Sequence, residues 1–343
     1  MLGLRLVRLM DYRILGRSGV KVSTLGLGTD NFGNPTSQKA STQIIDRAID
    51  AGINFIDTAN TYADGESERI IGKAFKGNGR RSQVLIATKV HYRVGPGPND
   101  QGNSRLHIIK ACEDSLKRLK TDYIDLYQLH RPSFDIPLDE TLGALSDLVT
   151  QGKVRYVGSS TAPAWKIMEA LHISELRRYP YFISEQSPYN LLDRRIENEL
   201  IPFCEHHHLG VIAWSPLAMG VLAGRYKNAN KMPKDSRGSL RKGIYSERIT
   251  EAGISIGKEF VKIADQNNIK PVQLATLWVK DQFGITLPLI GPRTMQQLED
   301  YLPVMDMQLN QTLKEACDLL VPPGSARANF HNSAPWMKMR LDW

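Results

Sequence analysis

The sequence predicts an α/β protein built as a closed (β/α)8 barrel, with a β-hairpin at its N-terminus and long loops at the C-terminal face. Three observations carry this expectation. Short apolar runs of strand length alternate with segments of helical periodicity from residue 25 to residue 290. The runs number eight, beginning at residues 25, 53, 84, 123, 154, 181, 211 and 286, which suits a closed parallel barrel better than an open sheet. No repeat, low-complexity tract or Pro/Gly/Ser linker divides the 343 residues, a length that such barrels reach as one domain.

The elements follow in order. Tyr12–Leu15 and Val20–Ser23 flank a Gly16/Gly19 turn and read as a hairpin. Leu25–Gly28 is the first barrel strand. Ser41 is the expected N-cap of a helix whose stripe is Ile44, Ile45, Ala48 and Ile49, ended by Gly52. Ile53–Ile56 is a strand. Ile70, Ile71, Ala74 and Phe75 recur at helical spacing, with Glu66 and Glu68 in the first turn, where they complement the helix dipole. Strands at Val84–Thr88, Tyr123–Gln128, Val154–Val157, Tyr181–Ser184 and Val211–Trp214 alternate with helices at Ser104–Leu119, Leu138–Thr150, Ala164–Leu171 and Arg194–His208, the last kinked at Pro202. Glu259–Asn267 and Pro271–Lys280 are helical, and Thr286–Ile290 closes the barrel. Residues 91–103, 225–249 and the tail from Val321 break the rhythm and read as pocket-shaping loops. The expected division is an extension over 1–10, a barrel over 11–320 and a tail over 321–343 lying near the pocket.

Hydrophobic residues make up 41% and charged residues 23%, enough for a full core. The net charge of +8 comes from Lys and Arg scattered among acids, which argues against a nucleic-acid surface and suits a phosphate-bearing ligand. Cys112, Cys204 and Cys317 are sparse and outside CxxC spacing, so a reducing, cytoplasmic location is expected. No apolar run reaches the ~18 residues of a membrane span. Met1–Leu9 is too short for a cleavable leader.

Four residues carry the chemistry. Asp57, Tyr62, Lys89 and His130 each follow a predicted strand, so a parallel barrel gathers them at one face. A free phenol, with a pKa of about 10, is a weak acid at neutral pH. An ammonium beside it stabilises phenolate and lowers that pKa, and a carboxylate fixes the ammonium. Asp–Lys–Tyr is therefore a way to make Tyr62 a general acid, with His130 placed to hold a substrate oxygen. Arg131, next to His130, is either an anion contact or a solvated cation.

Gly26-Leu27-Gly28 begins a near-match to the dinucleotide fingerprint, but Asn31 stands where a third Gly is needed and no helix opens at once, so the glycines read as a strand-to-loop turn. Thr294-Met295-Gln296-Gln297 has the form of a capping box beside Arg293, and a helix N-terminus with an adjacent Arg suits a phosphate. Consecutive residues on a helix diverge by about 100°, so His206-His207-His208 reads as a solvated helix end and no metal is expected.

Asp57-Thr58-Ala59-Asn60-Thr61-Tyr62, Ala87-Thr88-Lys89 and Leu126-Tyr127-Gln128-Leu129-His130 resemble motifs of the aldo-keto reductase superfamily. So do Gln186-Ser187-Pro188-Tyr189-Asn190, Ala213-Trp214-Ser215-Pro216-Leu217 and Ile290-Gly291-Pro292-Arg293, in the family's order from about residue 11 to 302. The Gly158-Ser159-Ser160-Thr161 run resembles the branch that holds aryl-alcohol dehydrogenases and potassium-channel β-subunits.

The resemblance implies a TIM barrel that binds NADP(H) without a Rossmann domain, with Asp57, Tyr62, Lys89 and His130 as a catalytic tetrad. It implies reversible reduction of an aldehyde or ketone, an alcohol:NADP+ oxidoreductase activity, with Tyr62 giving the proton and Lys89 depressing its pKa. Ser160 and Gln186 would bond the nicotinamide carboxamide, and Trp214 would lie against its ring. Ser215, Pro216, Leu217, Gly220 and Leu222 would wrap the pyrophosphate. Gly291, Arg293 and Gln297 would hold the adenosine 2′-phosphate and adenine, favouring NADPH, with Gly28, Thr29 and Thr161 also against the coenzyme. Thr161 replaces the family's usual Asn and keeps a donor and an acceptor. Tyr301 stands near another usual Asn. The substrate pocket would be lined by Asn31, Phe32, Tyr62, His91, Tyr92, Trp165 and Trp336 from the tail, an aromatic set suited to bulky carbonyls. The alternative is a barrel that holds NADPH, turns over slowly and reports redox state to a partner. A small-molecule carbonyl or alcohol is the expected partner, with no nucleic acid and no membrane; the oligomeric state stays open.

Overall fold

A computed structural model describes residues 11–241 and 243–331. Its centre is a closed barrel of eight parallel strands: β3 (Gly26–Gly28), β4 (Phe55–Asp57), β5 (Leu85–Val90), β6 (Ile124–Leu129), β7 (Val154–Ser160), β8 (Phe182–Pro188), β9 (Gly210–Trp214) and β10 (Ile285–Ile290), with β10 pairing back onto β3. A separate antiparallel hairpin, β1 (Tyr12–Ile14) and β2 (Lys21–Ser23), precedes it. The hairpin seals the N-terminal end of the barrel. Arg13 donates to the carbonyls of Lys280, Ile285 and Thr286, and Leu15 and Val22 are buried against Phe55, Leu126, Ile212 and Leu287. Gly16 has φ +54°, and a Cβ there would lie 2.0 Å from the Ile183 carbonyl oxygen, so this contact demands glycine.

The strand period places the reactive residues. Phe55, Ala87 and Leu126 belong to the small apolar cluster that includes the plug. Two residues along each strand, Asp57, Lys89 and Gln128 share the same face, one layer higher. Register pairs Asp57 with Ala87 and Lys89 with Gln128. The alternate residues Ile56, Ile86, Tyr127 and Val157 join the larger core beneath the helices.

The helices are α1 (Gln38–Asp50), α2 (Glu66–Phe75), α3 (Arg105–Leu119), α4 (Leu138–Thr150), α5 (Ala164–Arg177), α6 (Leu200–His206), α7 (Arg237–Arg241), α8 (Ile244–Glu247), α9 (Glu251–Gln266), α10 (Pro271–Lys280), α11 (Met295–Tyr301) and α12 (Gln311–Leu320). Several depart from expectation. The N-cap of α1 is Ser37, whose side chain accepts from Ala40 N, while Ser41 lies buried inside the helix. The predicted helix over 194–208 is two pieces. Backbone at Glu199 (φ −140°, ψ −54°) breaks it, so Pro202 falls in the first turn of α6, where its missing N–H costs nothing.

Helix α9 begins eight residues before its predicted start. Gly253 and Gly257 lower its intrinsic propensity, but a Cβ at Gly257 would come within 2.8 Å of the Val221 carbonyl oxygen, so packing requires what propensity disfavours. The 225–249 stretch contains α7 and α8, and α12 was not anticipated. Strands β5, β7 and β8 run further than their apolar cores, so Lys89 and Gln186 sit within strands rather than past them. No helix among the described residues is long and apolar enough to cross a membrane.

Candidate active site

A cavity of about 1000 Å³ opens at the C-terminal face. Asp57, Tyr62, Lys89 and His130 meet at its deep end. Lys89 is fully buried and donates to Asp57 Oδ1 (2.5 Å), the Thr58 carbonyl (2.8 Å) and the Tyr62 hydroxyl (3.3 Å). Tyr62 reaches this point because the chain leaves β4 through a tight turn in which Ala63 (φ 48°), Asp64 (φ 54°) and Gly65 (φ 81°) are all left-handed. For two non-glycine residues that winding costs on the order of 1 kcal/mol each. The His130 ring packs edge-on to Tyr62 (5.8 Å between centroids) and to Tyr92 (4.7 Å).

The electrostatics differ from expectation at Tyr62. Burial pushes its phenol well above the ordinary value, and the Asp57 charge adds to the rise. A Lys89-depressed phenol is thus corrected: the Lys89 ammonium is bound to Asp57, and burial pulls its own pKa down against that contact. Tyr62 is therefore a phenol that keeps its proton. Burial, then Arg131 and Lys89, push the His130 imidazole well below its usual range, so it is neutral.

Beneath this group runs an amide network absent from the sequence reading. Gln186 Nε2 donates to Asp57 Oδ2 (2.8 Å), as does Gln128 Nε2 (3.2 Å), and Gln186 also donates to Gln128 Oε1 (3.3 Å). The Ser160 hydroxyl donates to the Gln186 carbonyl (2.8 Å). Gln128 was visible only as the residue two before His130 on the same strand face.

Most residues anticipated for the coenzyme lie on the cavity wall: Gly28, Thr29, Ser160, Gln186, Trp214, Ser215, Pro216, Leu217, Gly220, Gly291, Arg293 and Gln297. Two do not. Leu222 is fully buried in the core, and Thr161 is turned back so that its hydroxyl accepts from Arg131 (3.0 Å). The backbone is left-handed at Ser215, Ala218, Met219 and Gly220, a winding suited to cradling anions with backbone amides. Thr294 caps α11 by accepting from Gln297 N, and Gln297 in turn accepts from Arg293 N (2.8 Å). Arg293 donates to the Asp235 carbonyl (2.6 Å).

Of the residues anticipated for substrate, Tyr92 and Asn31 line the cavity. Both ends of the Asn31 amide are engaged within the protein, donating to the Gly291 carbonyl (3.0 Å) and accepting from Arg237 (2.7 Å). Phe32 is corrected: it is fully buried in the main core, because this apolar ring turns inward under the loop. His91 is held by Asn103 (3.0 Å), and Trp165 packs against Phe134 (6.1 Å), away from the wall. Trp336 lies outside the described residues.

The 225–249 stretch, expected to shape the pocket, lines the cavity with residues that the sequence analysis does not single out: Arg225, Arg237, Arg241, Tyr245 and Arg248. Arg237 and Arg241 both bind Asp30. Their i, i+4 spacing on one face was the available signal. Seven Lys or Arg line the cavity against three Asp, a wall that fits a polyanionic ligand. His206 and His208, at the end of α6, are exposed.

The Aldo/keto reductase family profile matches residues 24–321. The chain belongs to the aldo/keto reductase family. It is 39% identical over 325 residues to the uncharacterized oxidoreductase YrpG of Bacillus subtilis, covering 92% of this chain and 97% of the relative. It is 36% identical over 303 residues to a probable voltage-gated potassium channel subunit beta of Arabidopsis thaliana, covering 87% and 92%. It is 33% identical over 335 residues to the protein Tas of Escherichia coli, covering 88% and 95%. This aldo/keto reductase is accordingly an oxidoreductase with the barrel of its family.

Proposed function

We propose that this aldo/keto reductase reduces an aldehyde or ketone reversibly with NADPH. The observation that carries the reading is the chain Asp57–Lys89–Tyr62, joined at 2.5 and 3.3 Å, in which Asp57 and Tyr62 line a cationic cavity beside a neutral imidazole and Lys89 lies behind its wall. NADPH bound in that cavity supplies the hydride. Trp214 would pack on the nicotinamide ring, the Ser215–Gly220 winding would hold the pyrophosphate, and Arg293 with Gln297 would hold the adenosine end.

His130 donates a hydrogen bond to the carbonyl oxygen and fixes its position. Tyr62 keeps its proton until charge develops on that oxygen, then transfers it, since an alkoxide is a stronger base than a phenolate. The Lys89 ammonium stabilises the phenolate left behind, and Asp57 holds Lys89 in place. Aromatic walls at Tyr92, Trp214 and Tyr245 exclude water from the exchange.

Following NADPH absorbance with aromatic, aliphatic and sugar-like carbonyls tests the reading. Turnover that falls by about 10²–10⁴-fold in Tyr62→Phe supports it. Tight NADPH binding with no turnover of any carbonyl points instead to a redox-reporting module, the reading that the relative named as a channel subunit invites.

A further inference from the structure

We propose that Arg131 is a positioning residue for His130. Its guanidinium ties the His130 carbonyl to the Thr161 hydroxyl and lies against Tyr92, which fixes the imidazole in the orientation that meets the substrate oxygen. This role rests on the carbonyl-reductase reading and deepens it at that same site.

A histidine that must present one ring nitrogen is ordinarily oriented by a hydrogen bond at the other. His130 Nδ1 is buried, and no protein atom among the described residues bonds it. Its orientation therefore comes from the backbone and from ring packing, and Arg131 acts on both. Nη1 of Arg131 donates to the His130 carbonyl (2.6 Å) and to Thr161 Oγ1 (3.0 Å). The guanidinium lies 5.7 Å from the centroid of the Tyr92 ring, which packs edge-on to the imidazole at 4.7 Å. The backbone of Arg131 is held as well. Asn103 Nδ2 donates to its carbonyl (2.8 Å), and Asn103 Oδ1 meets His91 Nδ1 at 3.0 Å. Arg131 thus links the end of β6 to the 91–103 loop on one side and to the end of β7 on the other.

Thr161 is the anchor of that link. Its φ of +54° is a conformation that a β-branched residue rarely takes and that persists only where the surroundings over-determine it. The Thr161 N–H donates to the Gln186 carbonyl (2.9 Å), and the hydroxyl goes to Arg131; Thr161 does not line the cavity. Charge acts in the same direction. The Tyr62 and Tyr92 rings face His130, and Arg131, Lys89 and His91 are the charged or titratable groups around it. Burial, then Arg131, then Lys89 and His91, hold the imidazole below its usual range, so it stays a neutral donor.

Kinetics of carbonyl reduction across pH test this in wild type, Arg131→Met, Arg131→Lys and Thr161→Val. Arg131→Met should lower kcat by about 10- to 100-fold, with KM for NADPH and for the carbonyl little changed. The inflection that His130 gives to kcat against pH should sit higher in Arg131→Met, because a cation that disfavours imidazolium is gone. Arg131→Lys keeps the charge and loses the planar fork, so it should restore the inflection and only part of kcat. Thr161→Val should lower kcat while the NADPH Kd holds. Arg131→Met/Thr161→Val should lose no more than Arg131→Met, since both break one link. If Arg131→Met does not fold, Arg131→Lys and Thr161→Val decide. Unchanged kcat with an unmoved inflection, or a rise in carbonyl KM alone, overturns the positioning role and leaves the reductase reading standing. A weaker NADPH Kd with unchanged kcat in Thr161→Val does the same. A wild type that turns over no carbonyl overturns both.

Discussion

Gln186 and Asp57, on β8 and β4, are joined by a 2.8 Å hydrogen bond from the amide nitrogen to Oδ2, across the inside of the barrel. The other carboxylate oxygen binds Lys89. Gln186 thus holds the carboxylate that holds the ammonium beside Tyr62. Gln186→Leu leaves Oδ2 with Gln128 alone at 3.2 Å. The expected loss is about 1–3 kcal/mol of stability by urea denaturation, together with a shifted pH profile of turnover. Unaltered stability with a weaker NADPH Kd would mean that Gln186 serves the coenzyme only.

Asp57→Asn strands a buried ammonium. Destabilisation of about 3–5 kcal/mol is expected, visible as a lower urea midpoint. The double variant Asp57→Asn/Lys89→Met should be more stable than Asp57→Asn alone, since it removes the orphaned charge as well. A double variant less stable than the single one would show that the ion pair does not set the cost.

The raised Tyr62 phenol has a signed consequence for pH. Its folded pKa lies above the unfolded value of about 10, so the protonated form persists through the alkaline range. Carbonyl reduction should show no alkaline decline from Tyr62 below about pH 10, measured as kcat against pH. Stability from this group is present below about pH 10 and is lost as pH rises toward the folded pKa. Tyr127 and Tyr189 are raised by burial in the same direction, so unfolding should become steeply easier above that pH.

Glu185 titrates with the opposite usefulness. It lies buried on β8 beside Gln186, accepting from Ser159 (2.5 Å), Ser187 (2.8 Å) and Ala162 N (3.2 Å), and burial pushes its carboxyl up to about 7. Since the unfolded carboxyl titrates near pH 4.3, its contribution is present below that pH and is lost as pH rises to about 7. Glu185→Gln should therefore be more stable than wild type at pH 8 and equal to it at pH 4, by urea midpoint. A variant weaker at pH 8 would show that the ionised carboxylate is the form the three donors favour.

Much of this architecture was readable in advance because period and spacing dictate it. Eight apolar runs with helices between them imply a barrel, and residues past the strands share one face, which gathers Asp57, Tyr62, Lys89 and His130 without any knowledge of contacts. What escaped depends on distance through space. Gln128 and Gln186 meet Asp57 across the barrel, a relation between β4, β6 and β8 that no local pattern encodes. Phe32 looked like a pocket aromatic because loop residues carry no periodicity that says which way a ring turns. The arginines of the 225–249 stretch were hidden because short helices such as α7 and α8 form by packing over the barrel mouth rather than by intrinsic propensity. The fall in Tyr62's acidity was misjudged because adjacency to Lys89 was counted and desolvation was not.

Strand β5 alternates Ala87, Thr88, Lys89, with Thr88 facing away to donate to Glu68 Oε1 at 2.6 Å, while Arg118 donates to Glu68 Oε2. Deleting one residue from the start of this strand would leave its composition nearly untouched and its pairing feasible, yet turn every side chain to the other face. The Lys89 amine would then meet the Glu68–Arg118 pair outside the barrel, and Tyr62 would look onto Val90. Reactivity in this chain is a matter of odd and even: a frame of two, miscounted once, leaves an intact fold with nothing to offer a carbonyl.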